Sequence, residues 1–389
     1  MALRIEIVTA LARFAELERP WQDLWARAEA DVFQSHGWIA TWWRGVSGRS
    51  GSSLLIALAW RDEELVAVAP FAVHNLGVVR TLRWAAELFS DYCDALVDPG
   101  LEVLPILTAV WDKVIQAGGF DTVSLKQVRP DARARPLLDR IARRSGHSAF
   151  DPTNRCLGIR REWPDGEAFF RSLGKKGRNN HTRGKRILAE LGGEVAFRCY
   201  GTDQPVGTVL DRVIALKRDW LQANDPGSAL LGGDGVILRA LLDTVAATGE
   251  LRVFAIECGQ TLVAGSVNFL RGNTMQAYLT SYDPAYGRAS PGTMLMVEYA
   301  IWAFDRSMGY VDFLRGDEAF KLGMANSAVE LSSLVTPRTL LGRAALAARD
   351  LRSRARDRVP AVMARLGSSR GGSIGDKSQE LVPSETEGL

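Results

Sequence analysis

Between Met275 and Lys321 the chain changes its apolar period twice, and that succession leaves few folds open. Met275-Gln-Ala-Tyr-Leu-Thr-Ser-Tyr282 alternates as a strand does. Asp283-Pro-Ala-Tyr-Gly-Arg-Ala-Ser-Pro-Gly292 breaks it with two prolines and two glycines. Apolar residues then return at helical spacing over Thr293–Met308, through Leu295, Val297, Ile301, Trp302 and Phe304. After Gly309 a short strand at 310–314 delivers Asp312, Arg315 and Lys321 to one region. A small-residue loop opening a helix lets backbone N–H groups approach an anion, and the helix start adds partial positive charge, so the unit suits a diphosphate.

Composition narrows the class. A chain of 389 residues with 47% hydrophobic content is long for one core and predicts two domains. No run approaches the ~20 apolar residues of a membrane span. The start, Met1-Ala-Leu-Arg-Ile-Glu-Ile, alternates like a strand and lacks a secretory apolar core, which predicts a cytoplasmic protein. Cys93, Cys156, Cys199 and Cys258 are too scattered for a zinc or disulfide pattern, so buried free thiols and no metal are expected. The net charge of +3 disfavours dedicated nucleic-acid binding.

Residues 1–150 read as one mixed lobe. A strand and a helix with Trp21 and Trp25 lead to a second helix around Trp38–Trp43, the hairpin Leu54–Trp60 with Leu65–Val73, a helix over 103–117 and a strand from Thr122. Residues 151–335 repeat the outline, with a helical start, the hairpin Leu251–Leu270, the strand at 275–282, a helix and the strand at 310–314. The predicted class is α/β in the broad sense that includes α+β, with two lobes of a mixed sheet flanked by helices. An Arg-rich helix over 336–366 and a disordered tail over 367–389 follow, the helix being a candidate for peripheral membrane or complex contact.

Several clusters carry two readings each. Arg171, Lys175, Lys176, Arg178, Arg183, Lys185 and Arg186, beside Asn179, Asn180 and His181, are either a solvated helix face or an anion site. Trp43, with Trp38 and Trp42, is either core or a sugar-stacking platform. Asp91, Tyr92 and Asp94 form a turn or face an acceptor cleft. His36, His74, His147 and His181 are too dispersed to build a triad with one Ser or Cys.

The run Ser290-Pro-Gly-Thr-Met-Leu295, with Asp312-Phe-Leu-Arg-Gly316 and Phe320-Lys321, resembles the GNAT-type acyltransferases grouped as CelD/BcsL-like proteins of polysaccharide biosynthesis, relatives of the Fem-type aminoacyl-tRNA-dependent transferases. Arg178-Asn-Asn180 and Lys217-Arg-Asp-Trp220 extend the resemblance, as do, more loosely, Phe33-Gln-Ser35 with Trp38 and Asp91-Tyr-Cys-Asp94. It implies two GNAT-like lobes and acyl transfer, with acetyl-CoA or another acyl-CoA as donor, to a small-molecule or saccharide amine or hydroxyl. Gly287, Arg288, Ser290, Gly292 and Thr293 would contact the donor. Asp312, Glu298, Lys321 and Tyr278 are the catalytic candidates, and Arg178, Asn179, Asp91, Tyr92, Trp43 and Arg315 the acceptor contacts. The alternatives are an aminoacyl-tRNA donor and a non-catalytic scaffold that binds glycan or a partner.

Overall fold

The computed structural model describes residues 3–47, 51–145, 151–228, 230 and 235–352. The N-terminal half runs β1 (Leu3–Val8), α1 (Leu11–Glu16), α2 (Glu18–Arg27), α3 (His36–Val46), β2 (Ser53–Arg61), β3 (Glu64–Leu76), β4 (Val79–Trp84), β5 (Leu96–Val97), α4 (Val103–Ala117), β6 (Thr122–Val128) and α5 (Arg135–Ser145). The C-terminal half runs β7 (Asp151–Arg160), α6 (Gly166–Ser172), α7 (Lys175–Gly192), β8 (Val195–Tyr200), α8 (Gly207–Asn224), α9 (Val236–Ala247), β9 (Leu251–Cys258), β10 (Thr261–Arg271), β11 (Thr274–Tyr282), α10 (Pro291–Asp305), β12 (Tyr310–Arg315), α11 (Ala319–Leu322) and β13 (Ser327–Pro337). Residues 340–352 are helical. The rest of the expected basic helix, the tail and His147 lie outside the described residues.

Both halves use one plan. Four antiparallel strands, β1 to β4 or β8 to β11, are followed by a helix that crosses over to a parallel neighbour, β4 to β6 by way of α4 and β11 to β12 by way of α10. The sequence reading expected two sheets side by side and a helical start after residue 151. Instead β7 opens that half, and all thirteen strands join one sheet. The closing strands are exchanged: β7 pairs with β12, whereas β13 pairs with β6, and the two meet each other antiparallel at the seam. In the shared plan β7 follows β6 and β13 follows β12, so each set is closed by the strand that follows the other set's parallel strand.

Alternation explains the layers. Leu54, Ile56 and Leu58 of β2 point to a core that α1 to α3 share with α8 and α9, and Leu55, Ala57 and Ala59 point to the face covered by α4 and α5. In the C-terminal half α6, α7 and α10 cover the corresponding outer face. Trp38, Trp42 and Trp43, at 0%, 3% and 9% exposure, belong to the shared core.

The exchange predicts cooperativity. Leu334 of β13 is fully buried in the N-terminal core. Leu334→Ala should cost ~2–5 kcal/mol and lower the urea midpoint of one common transition, seen alike by tryptophan fluorescence and far-ultraviolet circular dichroism. Two separate transitions, only one of them moved, would show that the halves fold independently.

Candidate active site at the seam

The segment after β4 reaches across to the other half, and residues far apart in sequence hold it there. Ser35 caps α3 by accepting from the Trp38 backbone N–H at 3.2 Å. Trp38 Nε1 donates to Ser90 Oγ at 3.0 Å, and Gln34 Nε2 donates to the Tyr92 carbonyl oxygen at 2.9 Å. Phe33 and Trp38 pack edge to face at 5.5 Å, beneath the same segment. The Phe33-Gln-Ser35 and Trp38 motif is thus the clamp that presents Asp91 and Tyr92.

Tyr92, 3% exposed, donates its hydroxyl to Asp312 Oδ2 at 2.8 Å. Asp312, also 3% exposed, accepts the Leu314 backbone N–H on Oδ1 at 2.8 Å. That bond holds a bulge in which Leu314 sits at φ 53°, a conformation costing an L-residue ~1–2 kcal/mol. Burial pushes the Asp312 carboxyl up to about 7, with the Tyr92 and Leu314 hydrogen bonds opposing it. Burial, and then the charge of Asp312, push the Tyr92 phenol well above its ordinary value. Tyr92 is therefore the donor and Asp312 the acceptor near neutral pH.

Around this pair lies a polar cluster built from both halves. Arg315 Nε pairs with Asp91, and Gln127, with its amide oxygen turned to Arg315, accepts from Nη1 at 2.8 Å. Lys321, 8% exposed, donates to the Arg315 carbonyl oxygen at 2.8 Å and pairs with Glu318 at 2.8 Å. Gln276, opposite Asp312 in the parallel register, donates to Asp31 Oδ1 at 2.7 Å. Arg129 stands 3.6 Å from Asp31 and lies over the Tyr92 ring at 5.0 Å. Lys217 of α8 lies over Trp220 at 4.3 Å; burial lowers its pKa, while Glu318 works the other way.

Five residues named from sequence, Asp91, Tyr92, Asp312, Arg315 and Lys321, thus come together. Asp31, Gln127, Arg129 and Gln276 join them without having been singled out, because each stands alone in its own segment. Tyr278 donates to the Phe89 carbonyl oxygen at 2.8 Å and stacks on Phe269 at 4.9 Å, within the shared core. Trp43 packs against Trp42 on α3, apart from this cluster. Glu298 on α10 pairs with His181 of α7 at 2.9 Å on the other side of the sheet. His36 is buried and His74 half-buried in the N-terminal half, and burial brings His74 down to about 4.

The loop ahead of α10 is largely open to solvent. Asp283 caps residues Pro284–Ala289 by accepting from the Ala285 N–H at 2.9 Å, and Ser290 turns the chain at φ 52°. No side chain caps α10. A Cβ on Gly292 would stand 3.3 Å from the Tyr282 ring, so a larger residue there would crowd the approach. Gly287 and Arg288 are exposed, and Thr293 opens the helix. β11 and β12 pair from Thr274 with Tyr310 as far as Gln276 with Asp312, although β11 continues to Tyr282, so the strands part towards this loop. On the flank, Gly184 of α7 lies against Met294 and the Ala289 carbonyl, bringing the exposed basic face of α7 alongside. Arg178 itself donates to the carbonyl oxygens of Arg171 and Leu173, while Asn179 is exposed.

Residues 175–322, from α7 through α11, match the family model of the acetyltransferase (GNAT) domain. No curated protein matches the chain. Solved structures are similar over most of it, among them the two that follow. FemX is 10% identical, with 86% of this chain and 97% of that chain covered and a TM-score of 0.52. The C-terminal domain of a putative lysylphosphatidylglycerol synthetase from Agrobacterium fabrum is 13% identical, with 86% and 95% covered and a TM-score of 0.53. At these identities the likeness is one of fold alone, a mixed α/β architecture. Among the described residues no cluster of three His, Cys, Asp or Glu could hold a metal ion, and no helix is long and apolar enough to cross a membrane.

The buried carboxyl of Asp312 predicts a pH signature. Its neutral form is favoured in the folded state, so its contribution is full below the ordinary value of 3.8 and is lost as pH rises through about 7. The unfolding free energy of wild type relative to Asp312→Asn, from urea titrations at several pH values, should fall across that window. A flat difference would mean that Asp312 is not held neutral.

Proposed function

We propose that the protein transfers an acyl group, most simply acetyl, from coenzyme A to an amine or hydroxyl acceptor. The observation that carries this reading is the parting of β11 and β12 between an uncapped glycine-containing helix start and a buried carboxyl. Gly287, Arg288, Ser290, Gly292 and Thr293 would hold the donor's diphosphate through backbone N–H groups and one guanidinium, with the basic face of α7 adding attraction. Bound there, acyl-CoA would supply a thioester lying along the gap between the strands.

The chain's own task is then proton transfer and positioning. An amine or hydroxyl acceptor must lose a proton to react, and a carboxyl poised near 7 is suited to take it at neutral pH. Tyr92 would pass the proton, receiving it from the acceptor while giving its own to Asp312 Oδ2. Lys321 and Arg315, paired with Glu318 and Asp91, would offer donors to the charge that develops on the acyl oxygen. The resemblance to CelD/BcsL-like proteins supports a saccharide acceptor in cell-envelope or polysaccharide synthesis, in the cytoplasm. An aminoacyl-tRNA donor is the second reading, and the exposed basic residues of α7 are the observation that favours it.

Calorimetric titration separates the donors. Acetyl-CoA and CoA should bind saturably to the wild type and not to Gly292→Trp, while Asp312→Asn should bind acetyl-CoA normally and lose turnover by ~10²–10⁴-fold. Absence of acetyl-CoA binding to the wild type, together with binding of charged tRNA, would replace this donor with the second one.

A further inference from the structure

A polar cavity of about 200 Å³ opens in the N-terminal half, walled on one side by Tyr92. We infer that it binds a small hydroxylated molecule carrying an ammonium group, about one sugar ring in size, and that Asp31 is the residue that selects the charge. The volume lies below the ~300–1,000 Å³ of pockets for drug-sized ligands, so one small ring or short chain fills it. Around it the carboxylates of Glu29, Asp31, Asp94 and Asp131 outnumber the guanidiniums of Arg129 and Arg133.

The hydrogen bonds decide which of these charges is available. Arg129 is committed to Asp131, with contacts of 2.9 and 2.5 Å, and to the face of Tyr92. Asp94 is satisfied by the backbone N–H groups of Ala95, Arg133 and Ala134 at 2.7 to 2.8 Å. Asp31 differs. Its Oδ1 accepts from Gln276, but Oδ2 has, among the described residues, only Arg129 at 3.6 Å, beyond hydrogen-bond reach. A carboxylate oxygen on the cavity wall with free lone pairs calls for a donor, and an ammonium brings several protons to it together with the opposite charge. Burial raises the Asp31 carboxyl, and a cation bound beside it would offset that.

Position gives the cavity its meaning. Tyr92 lines it and hydrogen-bonds to Asp312, so a ligand there lies one side chain from the proposed base. Calling the ligand the acceptor rests on the acyl-transfer reading; its binding does not.

The test is calorimetry on the full chain with glucosamine, compared with glucose, which keeps the ring and replaces the ammonium by a hydroxyl. Glucosamine should bind saturably and about tenfold or more tighter than glucose, the effect of one charge-assisted hydrogen bond. Asp31→Asn should erase that preference, and Ala132→Trp at the cavity rim should abolish binding of both sugars, each variant still unfolding cooperatively. Equal affinity for the two sugars, an unchanged preference in Asp31→Asn, or no glucosamine binding would overturn the inference. Acetyl-CoA titrated into the same samples keeps the two readings apart: glucosamine binding without acetyl-CoA binding would defeat the donor assignment and leave the cavity assignment standing.

Discussion

A single hydrogen bond, from Tyr92 in one half to Asp312 in the other, sets the terms for the site. A carboxyl buried to 3% exposure is tolerated only with its oxygens satisfied, and here one oxygen takes the phenol and the other the N–H of Leu314. Removing the N-terminal half would leave the carboxyl without its donor and Arg315 without Asp91. The exchange of β7 and β13 secures that arrangement mechanically, since neither half can withdraw without breaking a strand pairing. Fold and chemistry therefore depend on the same seam.

The two halves are alike in path and unlike in chemistry. Each carries a bulge with a left-handed residue near the end of its parallel strand, Gln127 in β6 and Leu314 in β12. Aligned on those bulges, Asp312 corresponds to Leu125, a core residue. The helix after β4 starts behind Glu102, whose negative charge is the wrong sign for holding an anion, where α10 starts behind Ser290 and Pro291. The N-terminal half thus shares the scaffold without the carboxyl, and it contributes instead a tyrosine, a buttress and a cavity.

Much of the C-terminal half was legible because its signals are local. The succession of alternation, Pro/Gly break and helical spacing after Met275 is carried by neighbouring residues, and the strand, loop and helix follow it closely. Asp312 and Arg315 could be named because they share one short strand. The exchange of closing strands was not legible, because the partner of a strand is chosen by packing across the whole sheet and leaves no mark within Asp151–Arg160. Asp31, Gln127, Arg129 and Gln276 look like ordinary surface or strand residues until the sheet brings them together. Trp43 and Tyr278 carried two readings in sequence because core aromatics and ligand platforms use the same side chains. Lys321, which reads equally as a surface lysine, is buried because α11 folds back so that its ammonium reaches two backbone carbonyls.

The most direct measurement is an NMR titration of the Asp312 carboxyl carbon in wild type and Tyr92→Phe. The account predicts a midpoint near 7 in the wild type and a higher one without the phenol, since losing a donor to the charged form disfavours ionisation. A midpoint near the ordinary 3.8, or one unmoved by Tyr92→Phe, would contradict the claim that the seam between the halves builds and tunes the base.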